Sequence, residues 1–417
     1  MKIPELLAPA GTLDGLKTAV IYGADAVYAG LPGFSMRARA KITVDEMKDG
    51  VEFAHTHGKK VYLAFNLFAH DSDYANLPQV SETINYLGPD ALIVSDPGIL
   101  MWVRENHPKI PIHISTQANI CSANTVKFWQ SAGAALCVLA REVSFPEFKN
   151  IRAACPDVGL EIFIHGAMCM SYSGRCLLSN FITGRPANRG ACAQLCRWKY
   201  DVVLREAESG LEMKLEEDER GAYIMNSKDL CLMPRLSEIL EVGADSLKIE
   251  GRNRSEYYVG SVVRAYRNAI DAYARNPKGF DPAPFMADLN VLETRGYTTA
   301  FFDGQVGADA HNYETTRSNS EYHAAGVITE ILDEHIVMEL RNEIRVGDEI
   351  TFILPGMDKV KVILSEIINA KNDESVPKLS AGQCHSIKIP KALLGEKAAL
   401  FQPLVLGYKK KFTAYSE

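Results

Sequence analysis

Along the first 250 residues the hydrophobic pattern repeats one unit. A short aliphatic or β-branched run is followed by a polar or glycine-containing turn, then by a stretch with apolar residues at helical spacing. The runs predict strands at Glu5–Ala10, Ala26–Ala29, Lys60–Asn66, Ala91–Asp96, Ile110–Gln117, Ala135–Arg141, Leu160–His165 and Asp245–Glu250. Strands alternating with helices indicate parallel βαβ units, and eight such units predict an α/β fold of the (β/α)8, TIM-like barrel type. The interval between the seventh and eighth strands breaks the rhythm and predicts an insertion over residues 166–235, with a solvated, Glu-rich excursion from Glu206 to Arg220.

After the barrel, Arg254–Arg275 has Tyr257, Val259, Val263, Tyr266 and Ile270 at helical spacing, which predicts an amphipathic helix with its aromatics in the core. A linker with further helical content covers 276–320. From 321 to 417 short apolar runs return without helical patterning, at Ala325–Leu332, Ile336–Leu340, Glu349–Leu354, Lys361–Ile367, His385–Ile389 and Ala398–Gln402. They predict a small all-β barrel or sandwich as a second domain behind the barrel of residues 1–275.

Composition changes this picture little: 47% apolar and 23% charged residues describe an ordinary soluble chain. The N-terminal residues lack a signal-peptide h-region, and no apolar run approaches the ~20 residues that span a bilayer. A cytoplasmic protein without membrane contact is expected, and in that compartment the nine cysteines should stay unpaired. A net charge of −7 argues against wrapping by nucleic acid, so any RNA contact must be local. Arg185 with Arg189, Arg197 with Lys199, Arg252 with Arg254, and Lys409–Lys411 are the candidate basic clusters.

Several predicted strands end in polar residues: Asn66, Asp96, Gln117, Arg141-Glu142, His165, and Lys248 with Glu250-Gly251-Arg252. In a barrel such ends converge on one mouth, where the chemistry of this fold is placed. Cysteines gather on the insertion, at Cys169, Cys176, Cys192, Cys196 and Cys231, whereas Cys121, Cys137, Cys155 and Cys384 sit singly and read as small buried hydrophobes. The wide, loop-borne spacing differs from the CxxC knuckles of structural zinc and suits a cuboidal iron–sulfur cluster. Zinc, or no metal, remains compatible with spacing alone. A competing reading makes His165 and Cys169 a nucleophilic pair, although five cysteines exceed what one nucleophile needs.

The run from Glu161 through His165-Gly166-Ala167, Cys169 and Gly174-Arg175-Cys176 to Ser179 resembles the signature of peptidase family U32. So do Pro4–Gly11, Gly23–Gly30, Asn226–Cys231 and Ser246–Arg252, so the resemblance spans essentially the whole chain. It implies an oxygen-independent hydroxylase, closest to the branch that forms 5-hydroxyuridine at the wobble position of tRNA, rather than a peptidase. Ribosomal RNA or a quinone precursor are alternative substrates, and a collagenase-like hydrolase is the alternative activity. The same resemblance implies a [4Fe–4S] cluster on Cys169, Cys176 and Cys192 with Cys196 or Cys231 as fourth ligand, prephenate as hydroxyl donor, and the tRNA anticodon region as partner. For a dicarboxylate such as prephenate, Arg141, Lys248 and Arg252 are the candidate donors, with Arg37 and Arg39 in reserve. His165 and Glu250 are the candidate acid–base groups. Arg197, Trp198 and Lys199, with Tyr200, are the candidate RNA contacts, because a target base splayed from its stack needs an aromatic partner.

Overall fold

A computed structural model of the chain describes residues 2–31, 42–168, 172, 175–176, 178–185, 192–197, 203–205, 212–214, 227–304, 310, 320–382 and 385–411, with backbone alone for 197, 203–205 and 212–214. Eight parallel strands close into the expected barrel: β1 (Glu5–Pro9), β2 (Ala26–Gly30), β3 (Lys60–Phe65), β4 (Ala91–Val94), β5 (Ile112–Ile114), β6 (Leu136–Val138), β7 (Gly159–Ala167) and, closing on β1, the strand Ser246–Ile249. In the insertion, β8 (Val203–Arg205) and β9 (Glu212–Lys214) form a hairpin, and β10 (Asp229–Cys231) runs antiparallel beside β7. With these in place the closing strand is β11, and β12 (Tyr297–Thr298) lies outside β10.

The local signals are ordinary capping chemistry. Thr12 accepts from Gly15 N, and Thr43 and Glu46 form a capping box that satisfies helix-end N–H groups. Asp96 does the same for the helix Pro97–Asn106, accepting from Ile99 N at 3.0 Å. This corrects one expectation, because Asp96 starts a helix instead of lining the mouth. Outward residues of the strands, such as Leu6, Ala8, Val27, Leu63 and Leu92, pack on the helices in one continuous core. Inside the barrel a separate small cluster holds Leu7, Ala26, Tyr28, Tyr62, Ala64, Ala91 and Ile93. Beside Phe163, the rest of the interior holds the buried polar residues Glu161, Lys248, Ser246, His113 and Ser115, where barrels of this type commonly place branched aliphatics.

The C-terminal region is a seven-stranded antiparallel sheet forming a half-barrel, with its own core around Ile328, Ile336, Met338, Ile350, Phe352 and Ile389. Two boundaries differ from expectation. Ala398–Gln402 is not a strand; it lies at the end of a 3-10 stretch, Lys391–Leu400. The central strand Leu406–Lys410 is unanticipated, because its lysines read as a basic surface. Lys409 is instead buried against Asp348, Lys410 faces Glu321 and Lys411 pairs with Glu293 at 2.7 Å. The sheet docks on the long helix Glu256–Arg275. Buried Arg264 bonds the carbonyls of Leu354 (2.9 Å) and Met357 (2.7 Å) and the Asp288 carboxylate (2.6 Å).

Candidate active site

On β7 and β11, residues two apart point into the barrel, so Glu161, Phe163, Ser246 and Lys248 share its interior. Lys248 Nζ donates to Glu161 at 2.6 Å and Ser246 Oγ donates to the other carboxylate oxygen at 2.8 Å. The ammonium also lies 4.3 Å from the Tyr28 ring centre and 5.7 Å from that of Phe163. Two guanidiniums share those rings: Arg141 sits 4.2 Å over Phe163, and Arg252 lies 5.8 Å from Tyr28. The three cations chosen from the sequence are therefore brought together. Burial pulls the Lys248 pKa down, Glu161 pushes it back up, and Arg252 and Arg141 lower it further. Glu161 is bonded to Lys248 and Glu142 acts on Arg141; three cations gathered around two rings still suit an anionic ligand.

Gly11 and Gly166 fix the mouth. A side chain at Gly11 would meet the Arg252 carbonyl oxygen, and Gly166, at φ +116°, lies where a Cβ would fall 2.6 Å from the Glu250 carbonyl. Asn66 Nδ2 donates to Ser115 Oγ at 3.3 Å at the strand ends, and Gln117 is buried with its side-chain oxygen without a partner among the described residues.

His165 and Glu250 form a second, lateral cluster. The β7–β11 register slips after Lys248, which turns His165 away from the Glu161 series and against Tyr258, Tyr266 and Tyr297, with ring centres 6.0, 5.6 and 5.3 Å away. Burial pushes its pKa down to about 3, so the ring is neutral. Glu250 N donates to His165 O, and the Glu250 carboxylate acts on Arg254, which pairs with Asp229 at 3.2 Å. Cys231 lies opposite His165 on β10, fully buried between Tyr266 Oη and Met286 Sδ at 3.7 Å each. Burial raises its thiol to about 11.

The remaining cysteines lie on the insertion. Arg175 ties this segment to the mouth by bonding Asn119 Oδ1 at 2.9 Å and lying 5.2 Å over the Phe68 ring. Adjacent Cys176 is half-buried, Cys192 is exposed, and Cys196 is half-buried in the 3-10 turn Leu195–Arg197. Among the described residues no three of His, Cys, Asp and Glu are gathered at metal-binding distance. As donors the accessible thiols nevertheless suit a soft metal centre. Cys137 and Cys155 are buried as expected, and Cys121 is half-buried. Cys169, Cys384, Arg37, Arg39, Trp198, Lys199, Tyr200 and the Arg197 side chain lie outside the described residues.

Glu161, Tyr28 and Phe163 lie within the family motifs, but no site role was expected of them from the sequence. Glu161 had a usable signal, a lone charge inside the apolar run Leu160–Ile164; the two rings read as ordinary strand residues.

Comparison with known proteins adds to this geometry. The model of peptidase family U32 matches residues 11–312, and that of the peptidase family U32 C-terminal domain matches 320–398. The chain is 38% identical to tRNA hydroxylation protein P of Escherichia coli, over 93% of each chain. It is 37% identical to tRNA hydroxylation protein P1 of Bacillus subtilis, over 95% of this chain and 93% of that one. A collagenase of Porphyromonas gingivalis is 32% identical over 92% and 94%.

Proposed function

The chain belongs to peptidase family U32, and from that premise we propose that it is an RNA-modifying hydroxylase forming 5-hydroxyuridine at the wobble position of tRNA. The observation that carries this reading is the convergence of Arg141, Lys248 and Arg252 at the barrel mouth, beneath an insertion bearing accessible cysteines. End-to-end similarity to two tRNA hydroxylation proteins supports it. A peptidase reading fits the site poorly. Cys169 of the alternative His165–Cys169 pair lies outside the described residues, and the described thiol beside His165, Cys231, is buried and raised to about 11, the reverse of an activated nucleophile.

In this account the co-substrate is prephenate, whose two carboxylates need a fork and a point charge: Arg141 and Arg252 supply the forks and Lys248 the point charge. Glu161 holds Lys248 in place. Glu250 is the group proposed to move a proton, and His165, kept neutral by burial, positions the strand that carries it. Cys169, Cys176 and Cys192, with Cys196 or Cys231, would hold a [4Fe–4S] cluster, which would supply redox or Lewis-acid chemistry at the mouth. Arg197, Trp198 and Lys199 remain candidates for RNA contact.

The test is expression of the chain in a strain lacking tRNA hydroxylation, with prephenate synthesis intact or blocked. Nucleosides derived from 5-hydroxyuridine should appear only in the intact background. Their formation in both would remove prephenate from the account, and their absence from both would remove tRNA.

A further inference from the structure

The first part of the insertion, residues 166–200, differs chemically from its Glu-rich continuation and from the rest of the chain. Between Gly166 and Tyr200 there is no acidic residue, while Arg175, Arg185, Arg189, Arg197 and Lys199 give it five positive charges in a chain of net charge −7. Its described part also exposes large apolar side chains. On the short helix Leu178–Thr183, Phe181 is 88% exposed and Ile182 49%, and Tyr172, a few residues earlier, is 47% exposed. Phe181 is the most exposed large hydrophobic side chain among the described residues. This position is locally fixed. Ser179 Oγ accepts from Ala193 N at 2.9 Å, Thr183 Oγ1 donates to Ser179 O at 2.6 Å, and Arg185 reaches the Cys192 carbonyl at 3.4 Å.

Exposed rings on a cationic stretch without acidic residues of its own suit a partner that offers flat apolar faces and negative charge together, even with Glu142 and Glu147 acting on Tyr172 from the barrel. Single-stranded nucleic acid presents both at every residue, and proteins hold it by stacking bases on aromatics beside a cationic track. An acidic protein would supply the charge without a regular series of stackable planes. The anchoring of Arg175 on Asn119 and Phe68 sets this surface at the rim of the mouth that holds Arg141, Lys248 and Arg252. We infer that Phe181 and Tyr172, with Arg175 and Arg185, form a stacking platform for the single-stranded loop of the substrate RNA, holding nucleotides next to the base that enters the barrel. This rests on the hydroxylase reading above and adds residues that the basic cluster Arg197–Lys199 does not include.

The experiment is equilibrium binding of a fluorescent anticodon stem–loop RNA to the full chain, as a function of salt. The variants are Phe181→Ala, Phe181→Trp and Arg185→Gln, with Phe128→Ala as a control at an exposed aromatic on the barrel surface, 58% exposed. Loss of one base–aromatic stack should weaken binding about 5- to 150-fold in Phe181→Ala, while Phe181→Trp and Phe128→Ala stay near wild type. Arg185→Gln should reduce the slope of log K against log salt by about 0.7 to 0.9, one phosphate contact. Unchanged affinity in Phe181→Ala overturns the inference, as does an equal loss in Phe128→Ala. A shift from dimer to monomer in Phe181→Ala would also overturn it, since the surface would then be a contact between two copies. Hydroxylated nucleosides formed in cells by a chain with unchanged Phe181→Ala binding would sink the platform alone. Wild type that neither binds RNA nor forms those nucleosides would sink the hydroxylase reading with it.

Discussion

Replacing Glu161 by Gln keeps the volume and a hydrogen-bonding group beside Ser246 and Lys248 but removes the only carboxylate among the described residues bonded to the Lys248 ammonium. Both side chains are almost wholly buried, 1% and 5% exposed, so solvent cannot replace the lost charge. Leaving one partner of a buried pair uncompensated typically costs about 3–5 kcal/mol. An independent bound comes from the alternative open to the lysine, which is to lose its proton. From an ordinary pKa of about 10.4 this costs about 4.6 kcal/mol at pH 7, at 1.36 kcal/mol per pH unit. The expected loss is therefore about 3 to 4.6 kcal/mol, a large share of the roughly 5–15 kcal/mol that stabilises a typical protein. Urea unfolding followed by circular dichroism reads it directly. The sign with pH follows. A lysine whose folded pKa is depressed binds fewer protons folded than unfolded, so the deficit shrinks as pH rises, by up to ~2.7 kcal/mol between pH 7 and 9. The double variant Glu161→Gln/Lys248→Met should recover at least ~2 kcal/mol relative to additive losses. A single-variant loss below about 1 kcal/mol, or an additive double variant, would refute the pairing as described.

His113 is buried in the barrel, T-shaped against Tyr62, and burial pushes its pKa down to about 4. Its contribution is complete above about pH 6.5 and is lost at about 1.4 kcal/mol per pH unit as pH falls toward 4; His113→Asn should flatten that part of the stability–pH curve. Arg264→Leu removes the side chain that bonds Leu354, Met357 and Asp288 across the domain boundary. It should lower stability by about 3–5 kcal/mol and hasten proteolysis between residues 276 and 320, and Arg264→Lys should not restore it because the fork is lost. Guanidinium melts and limited proteolysis at equal protein concentration check both statements.

The barrel was legible because each of its eight strands is a short, mainly apolar run flanked by turns, and neighbouring runs pair in sequence order. The convergence of Arg141, Lys248 and Arg252 was legible too, since parallel strands bring their C-terminal ends to one rim. What failed to show was anything set by register or by distant partners. His165 sits in the same run as Glu161, yet the slip after Lys248 turns it to the tyrosines of the long helix. Lys409 reads as surface charge until its buried partner Asp348 is known. Asp96 could serve a pocket or a helix end, and only the 3.0 Å bond from Ile99 N decides.

The most direct test of the central claim is nucleoside mass spectrometry of bulk tRNA from a strain lacking tRNA hydroxylation, complemented with wild type or with Cys176→Ala. Iron content is measured on the two purified proteins. The account predicts 5-hydroxyuridine-derived nucleosides and protein-bound iron with wild type, and neither with Cys176→Ala. Equal nucleoside levels from both proteins, or none from either, would contradict it.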